Sequence, residues 1–368
     1  MAQKKYNILF AFLLLCLLFH LAFSPLNIIK DKPLDGYYKV PEKVALTMAN
    51  YFSRKYQDST DKSINYQFGL FPGFTRIHHQ LEYSLFDHVF VRDVYKGKDG
   101  YLFRYCPGCI SDNQFDAAYI NNYADRYLKI QDSLKAAGKN IIWIIAPDKN
   151  MIYPEFLPES APKTKSINGY YWDLKKVFSE KKIKVIDFNE MAFFQEKNKY
   201  PFPVFYKGGV HWTHSYAARC FDSVCSYLSK TTAISIKNTL KDKITEHPWD
   251  PDIDMEYAAN LLKPIKQDAF YYTSVVSQSN AKNKKILIVG DSFCHAWMWN
   301  KWFEQCFDPG SEFWYYNREV NRLDNSFKKN VDHKNVRKEI AKFDTIIIVF
   351  SAGNAEYLDY GFIDDLYK

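Results

Sequence analysis

Lys285-Lys-Ile-Leu-Ile-Val-Gly-Asp-Ser-Phe293 is the stretch on which the fold turns. Its apolar run closes on Gly290, and a helix-like segment comes next. That pattern reads as the carboxyl end of a buried parallel strand. Open α/β sheets place their chemistry at that edge. A serine on a tight turn there presents its hydroxyl above the sheet, with backbone N–H groups beside it to receive an oxyanion. The plainer role for Ser292 is N-cap of the adjoining helix.

Working outward, Ile141–Ala146, Ile183–Ile186 and Thr345–Phe350 read as further strands. Between them, residues 112–138 carry Tyr119, Tyr123, Tyr127 and Ile130 at helical spacing and close on Gly138. Residues 169–181 and 214–228 read as helices too. Strands alternating with helices predict an α/β fold in three layers, a mainly parallel sheet with helices on both faces. Residues 231–284 break the alternation. Pro248-Trp-Asp-Pro251 and Tyr271-Tyr-Thr-Ser-Val-Val276 there suggest an insertion that covers the site. Upstream, residues 30–42 read as a stalk, 41–57 as a helix and 58–65 as a polar loop.

A serine nucleophile needs a base. His211, in Gly209-Val-His-Trp-Thr213 at the start of a helix, has the near-neutral pKa that suits the task. An aromatic-flanked histidine serves equally well as a packed or capping residue. Lys149 and Tyr153 lie just after the 141–146 strand and can line the same sheet edge. Lysine there can neutralise a substrate carboxylate or stand as a solvated loop charge.

Four separated segments, in order, resemble the SGNH-hydrolase-like domain of bacterial alginate O-acetyltransferases. Tyr95-Lys-Gly-Lys-Asp-Gly-Tyr-Leu-Phe103 is similar to its GKDGWLF opening. Pro147-Asp-Lys149 with Tyr153-Pro-Glu-Phe-Leu-Pro158 resembles its P-x-K…YPe-x-LP segment. Gly209-Val-His211-Trp212-Thr213 resembles its D-x-H-W-T motif, and Gly290-Asp-Ser-Phe293 matches its GDSF. The resemblance covers roughly residues 70–368. It implies a motif order permuted relative to ordinary SGNH hydrolases, histidine before serine. It also implies Ser292 and His211 as catalytic residues, and Lys149, Tyr153 and Trp212 at the substrate. Ordinary SGNH hydrolases carry a glycine and an asparagine in a turn that donates to the oxyanion; Gly353 and Asn354 stand in the corresponding turn here, where Asn354 can alternatively be a helix cap. The implied activity is transfer of an acetyl group to an exopolysaccharide hydroxyl, with no cofactor or metal and with a membrane-bound O-acyltransferase supplying acetyl groups. One departure stands out: Gly209 replaces the motif acid, which in a triad orients the imidazole. A Ser292–His211 dyad, another carboxylate such as Asp187, or a degenerate site that binds without turnover are the readings left open.

Composition sets the frame. Apolar content of 47% and aromatic content of 18% exclude global disorder. The 28 tyrosines and 29 phenylalanines suit sugar-stacking surfaces and equally reflect compositional bias. The net charge of +7 is dispersed, and no basic run interleaved with aromatics points to nucleic acid. Lys4 and Lys5 precede an apolar run from Ile8 to Phe23, extended to Ile29. A spanning helix needs about 20 apolar residues, so the expectation is a membrane segment over 7–29, an uncleaved inner-membrane anchor with the domain in the periplasm. The domain plan is then 1–29 anchor or signal peptide, 30–69 stalk and helical extension, and 70–368 the SGNH-hydrolase-like domain, with the insertion at 231–284. Beyond Cys16, six cysteines suit disulfides in an oxidising compartment. Cys106-Pro-Gly-Cys109 reads first as a structural loop clamp, and a redox pair or half of a zinc site are the alternatives.

Two rivals accompany the transferase: a carbohydrate esterase, in which water takes the acyl group from the same site, and a non-catalytic polysaccharide-binding envelope protein.

Overall fold

The computed structural model describes residues 2–23, 32–36, 42–67, 71–105, 114–159, 169–267, 269–324 and 328–368. The chain forms two compact units, Met1–Arg92 with Glu256–Pro264, and Asp93–Met255 with Ile265–Lys368.

The first unit is helical: α1 (Ala2–Phe23), α2 (Met48–Phe52), α3 (Lys55–Gln67) and α4 (Phe71–Leu85). Thr47 Oγ1 caps α2 by accepting from Asn50 N at 3.1 Å. Arg54 takes a left-handed conformation, φ 62°, and breaks the helix expected over 41–57 into α2 and α3; Pro41 lies outside the described residues. The stretch 58–65, expected to be a polar loop, is the body of α3. It holds no glycine or proline, and Asp58 sits in the first turn, where a negative charge suits the helix dipole. Polarity alone therefore did not break the helix. Asn260 holds the backbone of Asp35 from both sides, accepting from its N–H at 2.7 Å and donating to its carbonyl at 2.9 Å. Among the described residues no helix is long and apolar enough to cross a membrane. The anchor expected over 7–29 is thus not shown: α1 starts at Ala2, so its first turns include Gln3, Lys4, Lys5 and Asn7, and residues 24–29 lie outside the described ones.

The second unit carries the strands β1 (Val94–Lys96), β2 (Leu102–Arg104), β3 (Asn140–Ala146), β4 (Val185–Asp187), β5 (Ile236–Thr245), β6 (Phe270–Ser279), β7 (Ile286–Gly290), β8 (Glu312–Tyr315), β9 (Glu319–Arg322), β10 (Lys328–Asn330) and β11 (Thr345–Ser351). Seven of them form one sheet in the order β10-β9-β8-β7-β11-β3-β4. β8, β7, β11, β3 and β4 are mutually parallel, whereas β9 and β10 pair antiparallel at one edge. The sheet is therefore mixed, parallel where the apolar runs are continuous.

Alternation along the strands divides the core. Ile141, Trp143, Ile145, Leu287, Val289 and Ile348 face one layer, with Tyr123 and Tyr127 of α5 (Ala117–Ala136) and Tyr171 and Leu174 of α6 (Tyr170–Glu180). Ile142, Ile144, Ile286, Ile288, Ile347 and Val349 face the other, which includes Phe221 and Val224 of α7 (His214–Thr231). The helix read over 112–138 starts only at Ala117, because Asp116 caps it through Tyr119 N at 2.8 Å. Strands buried on both faces explain the unbroken Ile/Val runs in the sequence.

The region 231–284 forms its own hairpin. β5 and β6 pair antiparallel over ten residues each, from Ile236↔Ser279 to Thr245↔Phe270. Cys220, Cys225, Cys294 and Cys306 are buried, and no disulfide joins Cys225, Cys294 or Cys306, contrary to the expectation; Cys106 and Cys109 lie outside the described residues.

Trp143 is fully buried and meets Tyr123, Tyr127, Phe178 and Phe350 at ring distances of 6.3, 5.8, 5.4 and 5.4 Å. Trp143→Ala should lower the unfolding free energy by about 3–5 kcal/mol through lost burial and the cavity left behind. Urea unfolding followed by circular dichroism measures it; a loss below about 1 kcal/mol contradicts this packing role.

Candidate active site

β7 ends at Gly290 against the backbone of β11. A Cβ there would lie 2.9 Å from Val349 O and 2.6 Å from Cys294 Sγ, so only glycine lets the two strands run together up to the turn. Asp291, fully buried, secures the serine turn. Its Oδ1 accepts from Phe293 N at 3.0 Å and shapes the short helical turn Ser292–Cys294. Its Oδ2 accepts from Ser351 N at 2.8 Å, Asn354 Nδ2 at 3.0 Å and the Tyr360 hydroxyl at 3.2 Å. One carboxylate therefore fastens the serine turn to the turn at the end of β11. Sequence reading left Asp291 without a part; its place between the glycine and the serine was the available signal. Gly353 and Asn354 are brought to the same sheet edge, and the Asn354 amide nitrogen is bonded to Asp291.

His211 Nε2 lies 2.8 Å from Ser292 Oγ, and His211 Nδ1 lies 2.8 Å from Asp254 Oδ2. A carboxylate only accepts, so Nδ1 carries the proton and the Nε2 lone pair is left to take the serine hydroxyl. Asp254 Oδ1 also accepts from Val210 N at 2.8 Å and Met255 N at 2.9 Å, which holds the carboxylate in one orientation beside the ring. In chain order the three residues run His211, Asp254, Ser292.

The acid was not found by sequence reading. Asp187, the candidate, instead accepts from the Tyr171 hydroxyl at 2.8 Å and pairs with Lys175 at 3.0 Å. Asp254 comes from the connection between β5 and β6, two residues after Asp252. Gly209 explains why. A Cβ on Gly209 would meet the Asp252 carbonyl oxygen at 2.2 Å, far inside van der Waals contact. Residue 209 must lack a side chain for the 252–254 segment to reach the histidine. The loss of the motif acid and the arrival of Asp254 are thus one steric arrangement. The signal lay in Asp250-Pro-Asp-Ile-Asp254, three alternating aspartates inside the insertion.

The residues expected at the substrate each have partners within the fold. Lys149 is buried, and its Nζ donates to the carbonyls of Tyr206, Lys207 and Gly209 at 2.7, 2.7 and 2.8 Å. Burial pulls its pKa well down, opposed by the charges of Asp254 and Asp148. Three acceptors require the three donors of an ammonium, because a neutral amine has two. Lys149 therefore pins the loop that leads into His211. Tyr153 is buried and its hydroxyl accepts from Val204 N at 3.2 Å, while its ring lines a cavity of about 590 Å³ together with Tyr101, Phe156 and Tyr206. Trp212 is fully buried, donates to Phe293 O at 3.1 Å and packs on Trp297 at 5.2 Å. It braces the histidine turn against the serine turn.

His214 shows how the insertion is locked on. Its N–H donates to Asp252 Oδ1 at 2.7 Å, its Nε2 meets Asn300 Oδ1 at 3.1 Å, and its Nδ1 accepts from Thr273 N at 3.3 Å. Tyr272 stacks on the ring at 4.0 Å. Burial lowers its pKa to about 4, against the Asn300 bond. His295 is likewise lowered to about 4, by burial and then by the neighbouring His211.

This geometry fixes three expected outcomes. Asp254→Asn should reduce turnover of a small acetyl ester by on the order of 10³- to 10⁴-fold, as loss of the orienting acid does in serine triads. Gly209→Ala should fall toward the same level with Asp254 intact, because the new Cβ displaces the 252–254 segment; near wild-type kinetics of p-nitrophenyl acetate hydrolysis in Gly209→Ala would contradict the steric account. Stability should also fall as pH drops. The unfolded chain protonates His214 and His295 near 6.5, whereas the folded chain waits until about 4. Between those values the unfolded state binds more protons. The thermal midpoint should therefore decline through that window, and less steeply in His214→Gln; equal slopes in both proteins refute the assignment.

No curated protein sequence matches the chain. Among solved structures it is similar to the O-acetyltransferase domain of Pseudomonas putida AlgJ, with TM-score 0.44 and 14% identity over 74% of this chain and 98% of that one. It is similar to Bacillus cereus PatB1 with a sulfonyl adduct, at 0.47 and 12% over 72% and 97%. Pseudomonas aeruginosa AlgX gives 0.42 and 16% over 78% and 69%. The family model for the SGNH hydrolase-like domain of the acetyltransferase AlgX matches residues 94–308, more than half of the sequence and inclusive of His211, Asp254 and Ser292, and the chain belongs to this family.

Proposed function

We propose that this protein transfers an acetyl group to a polysaccharide hydroxyl through an acyl-serine at Ser292. The observation that carries the reading is the continuous hydrogen-bonded relay Asp254–His211–Ser292, with 2.8 Å at both steps. Membership of an acetyltransferase family supports acyl transfer as the reaction class.

In this mechanism His211 Nε2 removes the Ser292 proton as Oγ attacks the acetyl carbonyl. Asp254 stabilises the imidazolium that forms. The oxyanion is met by the Ser292 N–H and by the turn at Gly353 and Asn354, which Asp291 holds to the serine turn. Collapse expels the donor's leaving group, which takes the proton from His211. A sugar hydroxyl then gives its proton to His211 and attacks the acyl-serine, and Ser292 regains its proton as the ester departs. The side chains of His211 and Asp254 are 21% and 30% exposed, so water competes as acceptor and the esterase remains a second outcome of the same site. The non-catalytic reading was motivated by the missing motif acid and by the aromatic richness; Asp254 beside His211 speaks against the first of these. A membrane-bound O-acyltransferase as acetyl supplier and an envelope location, inner membrane with the domain in the periplasm, complete the proposal. The partner enters through the resemblance carried by the four sequence segments, and the location through Lys4 and Lys5 followed by the apolar run from Ile8 to Phe23.

A fluorophosphonate probe should label the wild type and not Ser292→Ala. Absence of labelling in the wild type would sink the acyl-serine. With p-nitrophenyl acetate as donor, transfer predicts that a glycan acceptor raises turnover and becomes acetylated, measured by mass spectrometry; acetate release indifferent to every acceptor favours the esterase.

A further inference from the structure

A second cavity lies beside the serine turn at the same edge of the sheet. The serine turn runs directly into the short helix α8 (His295–Trp299). In the sheet, Tyr315 at the end of β8 registers with Gly290 at the end of β7, so β8 delivers its last side chains at the level of the serine turn. Between α8 and the β8–β9 hairpin is a cavity of about 210 Å³ lined by His295, Trp299, Phe313, Tyr315, Glu319 and Arg322 among others. His295 is the third residue after Ser292, so the cavity opens beside the serine turn.

Its chemistry is mixed in a particular way. Trp299 is 56% exposed although it forms part of a wall, and its indole stacks on the His295 ring at 4.6 Å with an angle of 5° between planes. The floor is aromatic: His295 also contacts Tyr315 at 4.8 Å and Phe313 at 5.9 Å. The rim is polar. Glu319 pairs with Lys328 at 2.6 Å across β9 and β10, and Arg322 stands on the same hairpin. An aromatic platform under a rim of both donors and acceptors suits a sugar ring, which has apolar C–H faces and hydroxyls that both donate and accept. An acyl chain would call for apolar walls throughout. The carboxylate and two cationic groups leave a small positive excess, compatible with neutral or uronic sugars.

We infer that this cavity is the acceptor subsite, in which one sugar ring of the glycan stacks on Trp299 and offers its hydroxyl to Ser292 and His211. The assignment of that ring as acceptor rests on the transfer reading above; sugar binding in the cavity is tested without it.

The test uses the full-length chain carrying Ser292→Ala, which cannot turn over, and isothermal titration calorimetry with two probes: cellohexaose as a neutral glycan and a β-linked uronate hexamer as an anionic one. At least one should bind. Adding Trp299→Ala should weaken that Kd by about tenfold or more, and Trp299→Phe, which keeps an aromatic face, should stay within about threefold of the parent. Equal affinity in the Trp299→Ala protein, or no binding of either hexamer to the parent, overturns the subsite. The two failures separate cleanly. Fluorophosphonate labelling of the wild type without hexamer binding removes the subsite and keeps the chemistry. Hexamer binding sensitive to Trp299→Ala without labelling keeps the sugar site and removes the acyl-serine.

Discussion

The active-site geometry depends on a hydrogen atom where a side chain would normally be. Gly209 is two residues from His211, and its bare Cα lets the Asp252 carbonyl approach within a distance no Cβ tolerates. That approach sets the placement of Asp254, the protonated Nδ1 of His211 and the free lone pair of Nε2 toward Ser292. A triad thus needs a carboxylate at a point in space and is indifferent to which segment supplies it. Here a connection between two hairpin strands supplies what a neighbouring residue supplies in the family's motif.

Around that contact the fold has been stiffened by buried polar groups with defined partners. Asp291 joins the turns after β7 and β11 through three donors on one oxygen. Lys149 gathers three carbonyls of the loop before His211. His214 ties the first turn of α7 to Asp252 and to β6. Each is a buried polar group with its partners in an otherwise apolar layer, which is costly to misassemble and so specifies one arrangement. Trp212 and Trp297 fill the space between these points, donating to Phe293 O at 3.1 Å and Ala217 O at 3.0 Å.

The legible part of this structure was the part governed by local pattern. Apolar runs ending at Gly290, Ala146 and Ser351 gave away the parallel strands, because burial on both faces forbids polar interruption. The turn and the segments around them singled out Ser292 and His211, which stand 2.8 Å apart. Asp254 was not, since nothing local distinguishes an aspartate that will meet a histidine 43 residues away. Gly209 looked like a loss, because a steric allowance for a distant carbonyl leaves no trace in its neighbours. Lys149 looked like a ligand for substrate, because sequence shows its charge and not the three carbonyls that surround it. Residues 58–65 of α3 looked like a loop, because helix formation there rests on the absence of breakers more than on amphipathic contrast.

The acid's address on the β5–β6 connection carries a last implication. That hairpin is a two-stranded ribbon lying against α7, outside the seven-stranded sheet that leads into Ser292. Small two-stranded units open at lower free energy than the central sheet of the domain they decorate. The carboxylate beside His211 and the serine turn are thus carried by different elements, so a change in how the ribbon packs on α7 would move the acid while Ser292 stays with the sheet.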